Sequence, residues 1–169
     1  MLIENRLLSA GSPRLHALTR RSALASFGAL AFSARISTAG AARSIIVHKD
    51  PNCDCCSGWV RHLRDAGFTV TIDETTEVRA IRNRLGVPDE LASCHTAEAE
   101  GYAIEGHVPA AAVSRLLRER PDAVGLAVPG MPQGSPGMGG AAGQYAVVLF
   151  GKFGKRDYMT FRGTDVQSF

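Results

Sequence analysis

Three of the four cysteines in this 169-residue chain stand within four positions, in the stretch "HKDPNCDCCSGW" that runs from His48 to Trp59. A cysteine thiolate is both a nucleophile and a soft metal ligand, so this density sets three kinds of chemistry in competition. The first is a disulfide framework, which an even cysteine count in an exported chain suits. It fits poorly, because a Cys53–Cys56 bridge closes too small a loop to add much stability and leaves Cys55 only Cys94 to pair with. The second is thiol–disulfide exchange, since Cys53 and Cys56 form a C-x-x-C in which one thiolate attacks and its neighbour resolves. Cys55 serves no purpose in such a two-electron cycle and offers competing, strained pairings. The third is metal capture, which gives Cys55 a use.

Thiolates at this density select Cu(I), Zn(II) or an iron–sulfur cluster. The fourth cysteine, in "LASCHTA", brings Cys94 and with it His95. Four converging thiolates are enough for a tetrahedral zinc site. Cys55 and Cys56 are adjacent, however, and adjacent residues chelate one ion awkwardly, whereas Cu(I) takes two or three ligands and tolerates thiolates that bridge ions. The spacing therefore favours copper, as Cu(I) and as more than one ion, over zinc. Met131 and Met138 lie in a Gly/Pro loop and offer soft thioethers, against the plainer role of an adaptable apolar cover. His48 ends a predicted strand beside the cysteine turn, where a ligand role competes with a backbone-bonded one. His107 stands at another strand end, where a hydrogen-bonded core histidine is the competing role, and His62 is expected on the surface.

These side chains need elements to place them. "RSIIVHK" (43–49) is short, apolar and β-branched, as a buried strand should be. "SGWVRHLRDAGF" sets Trp59, Val60, Leu63 and Ala66 at helical spacing, so the C-x-x-C falls at a helix N-terminus, where unpaired N–H groups and the dipole favour thiolates. "TVTIDET" reads as a second strand. "EVRAIRNRLGVP" reads as a helix with Val78, Ile81 and Leu85 on its apolar face, closed by Gly86 and Pro88. "SCHTAEAEGYAIEGHVP" reads as two strands about the Glu100–Gly101 turn, and "PAAAVSRLLRERP" as a helix opened by Pro109. The order β-α-β-α-β-β-α, with a C-x-x-C between the first strand and first helix, predicts an α/β, thioredoxin-like fold. In that fold the loop entering the third strand passes over the C-x-x-C turn, which brings Cys94 and His95 to the other thiols. "VPGMPQGSPGMGGAAG" (128–143) is too rich in Gly and Pro for regular structure, and "QYAVVLFGKFGKRDYMTFRG" follows as a C-terminal hairpin turning near 151–155.

At these residues the chain resembles a family. "HKDPNCDCCSGWVRHLRDAGF", "GVPDELASCHTA", "YAIEGHVPA" and "GLAVPGMPQGSPGM" are together similar to the CopG-type periplasmic copper-resistance proteins, a metal-binding family of unknown function numbered 411. The resemblance covers nearly all of 44–138. It implies a thioredoxin-like fold that binds copper through Cys53, Cys55, Cys56 and Cys94, with His95 as a further ligand. Asp54 stands where the family often has Gly, which places a carboxylate beside the thiols.

Composition and charge narrow the classes further. With 45% hydrophobic residues the chain is long enough for one core and short for two. Its net charge of +3 is unevenly spread. Arg6, Arg14, Arg20, Arg21 and Arg35 face Glu4 alone in residues 1–41, while the other 14 basic and 15 acidic residues nearly cancel. That distribution argues against a nucleic-acid binder. It matches an export signal: paired Arg20 and Arg21, a weakly apolar run from Ala23 to Phe32, and an Ala39-Gly40-Ala41 cleavage site. The pair points to twin-arginine export, leaving 42–169 as one mature periplasmic domain with no membrane span. No nucleophile elbow or phosphate loop is present. The expected function is periplasmic copper binding for copper resistance. Its rivals are a periplasmic thiol–disulfide oxidoreductase and a chaperone delivering copper to an efflux or oxidase partner.

Overall fold

The computed structural model describes residues 43–168; the expected export signal at 1–41 lies outside them. The order of elements is β1 (Ser44–Lys49), α1 (Asp54–Asp65), β2 (Thr69–Glu74), α2 (Val78–Arg84), a short 3-10 turn (Asp89–Leu91), β3 (His95–Ala99), β4 (Tyr102–Gly106), α3 (Ala110–Glu119), β5 (Gly125–Val128), β6 (Gln144–Gly151), β7 (Gly154–Arg162) and β8 (Asp165–Gln167). All eight strands join one mixed sheet in the order β2-β1-β3-β4-β5-β6-β7-β8. β1 runs parallel to β2 and antiparallel to β3, and β3 antiparallel to β4. Among the described residues no helix is long and apolar enough to cross a membrane.

The period of two along the strands divides the sheet into faces. On one face Ile45, Val47, Ala97, Ile104 and Leu126 pack under Trp59, Val60 and Leu63 of α1 and Val113, Leu116 and Leu117 of α3, forming the main core. On the other, Ala103, Ala127 and Phe150 pack with Val87 and Leu91, from the segment that follows α2. The first face is apolar except at its end by the cysteine turn, where Lys49 and His95 stand opposite each other. The second is polar where β1, β3 and β4 meet, because His48, Thr96 and Glu105 stand side by side there in register.

Several expectations are refined. The C-terminal hairpin, with its turn at Gly151–Gly154, continues the main sheet by pairing with β5, and β8 extends it further. β5 and β8 are not marked in the sequence: "GLAV" is four residues buried on both faces, so it shows no alternation. In α2 the expected apolar face of Val78, Ile81 and Leu85 is only half-buried, and Arg82 is the buried side chain. The reason is its position: this seven-residue helix lies near the polar patch of the sheet, where a guanidinium finds a carboxylate. Ala66, expected on the inner face of α1, is the exposed C-cap.

Candidate metal centre

α1 begins at the cysteines. Cys53 is its N-cap, with an extended backbone and no side-chain cap hydrogen bond, and Cys55 and Cys56 occupy its first turn. The chain reaches this point through a tight turn in which the Cys53 N–H donates to the Asp50 carbonyl (3.0 Å) and the Asn52 N–H to Asp50 Oδ1 (2.8 Å). Lys49 is buried beneath it, its ammonium donating to the Asp50 carbonyl (3.0 Å) and to Glu74 Oε1 (3.3 Å). The burial of a lysine is thus satisfied by the turn that carries the thiols.

The four cysteine sulfurs all lie within 4.8 Å of one another. Cys53 and Cys56 are joined as a disulfide, while Cys55 and Cys94 are free thiols. Cys55 Sγ is 3.6 Å from Cys53 Sγ and 3.9 Å from Cys94 Sγ, so it bridges the helix end and the opposite loop. Cys94 lies just before β3. Burial, reinforced by the neighbouring Cys55, pushes its thiol up to about 12. Without a cation beside it, this sulfur keeps its proton at neutral pH; a soft cation would supply the charge that burial denies.

Two histidines flank Cys94. Its Sγ is 3.1 Å from His107 Nε2 and 3.3 Å from His95 Nδ1, and ligand atoms of these three residues also lie within 4.8 Å of one another. His107 Nδ1–H donates to the Pro136 carbonyl (2.7 Å), which fixes the tautomer and leaves Nε2 as a bare lone pair aimed at the sulfur. Burial keeps His107 below the usual histidine range. His95 is fully buried, and that burial, with His107 nearby, lowers it to about 3, so it is neutral. Its Nε2 is buried with no hydrogen-bond partner among the described residues. The indole of Trp59 packs 4.4 Å from the His95 ring and donates to the Val108 carbonyl (2.8 Å), closing the apolar side of the site.

The loop after β5 covers the other side. Ser135 and Pro136 are buried, and Gly137 lies so close to α1 that a Cβ would meet Cys55 O and Trp59 N at 2.5 Å; its φ of +88° also favours glycine. Met138 follows it and is half-buried, whereas Met131 is exposed.

Of the residues singled out from the sequence, Cys53, Cys55, Cys56 and Cys94 form one group and Cys94, His95 and His107 another, with Cys94 common to both. His48 is placed elsewhere. Its Nδ1 meets Asp73 Oδ2 (2.7 Å) and its Nε2 meets Glu98 Oε1 (3.0 Å), so both ring nitrogens are engaged by carboxylates away from the thiols. His62 is not a plain surface residue: its Nε2 accepts from the Ala110 N–H (3.0 Å) and so caps the first turn of α3. Sequence reasoning missed Arg82, Glu105 and Pro136. Glu105 carried a readable signal, a carboxylate inside the otherwise apolar strand "YAIEG"; a backbone carbonyl such as that of Pro136 leaves none.

Two free thiols, two further sulfurs that reduction of the Cys53–Cys56 disulfide would release, and the neutral imidazoles of His95 and His107 beside Cys94 fit a soft, thiophilic cation. Comparison with known proteins agrees in kind. A family described as "Protein of unknown function, DUF411" matches residues 91–138. A solved structure described as copper resistance protein copG, Form 1, is 45% identical over 73% of this chain and 100% of its own, with a TM-score of 0.68. Form 2 is 43% identical over 76% of this chain and 100% of its own, with a TM-score of 0.66. No curated protein matches the chain.

Proposed function

Because the chain belongs to the family of CopG-type copper-resistance proteins, we propose that it captures copper as Cu(I) through Cys53, Cys55, Cys56 and Cys94, assisted by His107 and His95. The observation that carries this reading is the convergence of four cysteine sulfurs, one of which, Cys94 Sγ, also faces Nε2 of His107. Cys55 is central because it stands between Cys53 and Cys94, a position suited to a sulfur that bridges more than one ion. Met138, next to the glycine that touches α1, is the better placed of the two methionines. His48 has no free nitrogen to offer.

The order β2-β1-β3-β4, with the C-x-x-C between β1 and α1, supports a thioredoxin-like reading of the first half. The arginine pair and small-residue segment within 1–41 support export, with 42–169 as one mature periplasmic domain. The Cys53–Cys56 disulfide supports capture linked to redox state. A dithiol reductant would give it two electrons and two protons, itself becoming a disulfide, and the two thiols formed would release their protons on binding copper. Oxidation therefore withdraws two donors from the site.

Anaerobic titration of the fully reduced protein with Cu(I) tests the reading. The expected result is binding of one equivalent or more, weakened by Cys55→Ser and by Cys94→Ser. Less than one equivalent, or binding indifferent to both substitutions, contradicts it. The disulfide also favours a second reading, thiol–disulfide oxidoreduction. That reading predicts reduction of an insulin-type disulfide that needs Cys53 and Cys56 but not Cys55.

A further inference from the structure

Cys94 is the sulfur donor that α1 does not hold, and it lies outside regular structure, between the 3-10 turn and β3. Something else must fix it. We propose that the buried Arg82–Glu105 ion pair is a positioning device that sets the Cys94 sulfur for copper by gripping the backbone of the residue before it. This inference rests on the copper reading of the site.

The grip is complete at Ser93. Its N–H donates to Glu105 Oε1 (2.6 Å), and its carbonyl accepts from Arg82 Nη2 (2.5 Å). Arg82 Nε donates to the same Glu105 Oε1 (2.9 Å), and Thr96 Oγ1–H, at the start of β3, donates to Oε2 (2.5 Å). One carboxylate thus ties α2, the loop and β3 to β4, and Cys94 falls between two of its attachment points. Gly106 makes the approach possible: a Cβ there would lie 2.5 Å from Ser93 Oγ and 2.9 Å from the Val128 carbonyl. His107 follows directly, so β4 carries both the clamp for Cys94 and the imidazole that faces it.

An ion pair buried this deeply, with Glu105 fully inaccessible, is a weak source of stability, since apolar residues of similar volume often serve as well. It does provide direction. Two opposite charges aimed at the N–H and C=O of one residue hold the peptide groups on both sides of Ser93, and the next sulfur inherits the restriction. Outer partners of metal ligands typically influence affinity about 10- to 100-fold.

The test is Cu(I) affinity of the reduced full-length protein, measured by competition with a Cu(I) chelator, for Glu105→Gln and Arg82→Lys in the wild-type and Cys94→Ser backgrounds. Each substitution is expected to weaken binding about 10- to 100-fold in the wild-type background and to have no further effect once Cys94 is gone. A generally loosened fold would weaken both backgrounds alike, which would overturn the proposal, as would unchanged affinity in folded variants. Should Glu105→Gln fail to fold, Arg82→Lys carries the same cycle, because lysine retains the charge but not the fork that spans Glu105 and Ser93. Failure of the copper reading is distinguishable: the wild type would then take up no Cu(I), or Cys94→Ser would bind as the wild type does.

Discussion

The cysteine turn at the start of α1 and the wall that faces it, formed by Cys94, His95 and His107, meet at the Cys94 sulfur but are held by different means. The turn is local. Its geometry follows from Asp50, Asn52 and the helix N-terminus, with Lys49 buried beneath, all within a few residues of the thiols. The facing wall is assembled over distance: Ser93 is fixed by Arg82 and Glu105, His107 by the Pro136 carbonyl, and His95 by the packing of Trp59. A metal site divided in this way has one wall specified by short-range sequence and another that exists only once the sheet and its covering loop have formed.

The largest effect expected from that asymmetry is at Glu105. Glu105→Leu leaves Arg82 buried without its carboxylate and is expected to cost about 3–5 kcal/mol in urea unfolding, most of it recovered in the Arg82→Met/Glu105→Leu double variant. A single-variant loss under about 1 kcal/mol would place the two walls on an equal footing. Gly137→Ala comes next. Its Cβ meets backbone atoms of Cys55 and Trp59 at 2.5 Å in a left-handed conformation, and the expected cost is about 2–4 kcal/mol by the same measurement. This variant sharpens the comparison because Gly137 is where the covering loop touches the cysteine turn. Trp59→Phe is expected to cost about 1–3 kcal/mol, since the buried Val108 carbonyl loses its donor and His95 loses part of its wall.

The smallest effect is electrostatic and lies outside the site. Burial holds His62 below the usual histidine range, and its neutral Nε2 accepts from Ala110. The unfolded chain takes up this proton near the ordinary histidine value, the folded protein only at lower pH. The stability it contributes is therefore present above the ordinary value and lost as pH falls through the folded one. Thermal unfolding of wild type and His62→Phe across pH 7.5 to about 5 checks this: the wild type should lose the larger increment. Parallel curves would remove His62 from the account.

The same division explains what the sequence disclosed. The thiol turn, its place before a helix and the succession of elements along the chain up to α3 could be read from spacing and periodicity, because each depends on neighbours a few residues apart. The approach of Cys94 and His95 could be inferred only through an expected topology. The role of His107, the exclusion of His48 by Asp73 and Glu98, and the Ser93 grip depend on residues 10 to 50 positions apart, whose pairings no local pattern encodes. β5 escaped notice for a related reason, since a strand buried on both faces has no alternation to show.

The central claim is that both walls supply ligands to the same copper. X-ray absorption at the copper edge of the anaerobically Cu(I)-loaded protein tests it most directly. The account predicts a sulfur-dominated ligand shell with a nitrogen contribution, the sulfur share falling in Cys94→Ser and the nitrogen share falling in His107→Ala. A shell of nitrogen and oxygen alone, or a sulfur shell identical in wild type, Cys94→Ser and His107→Ala, would contradict it.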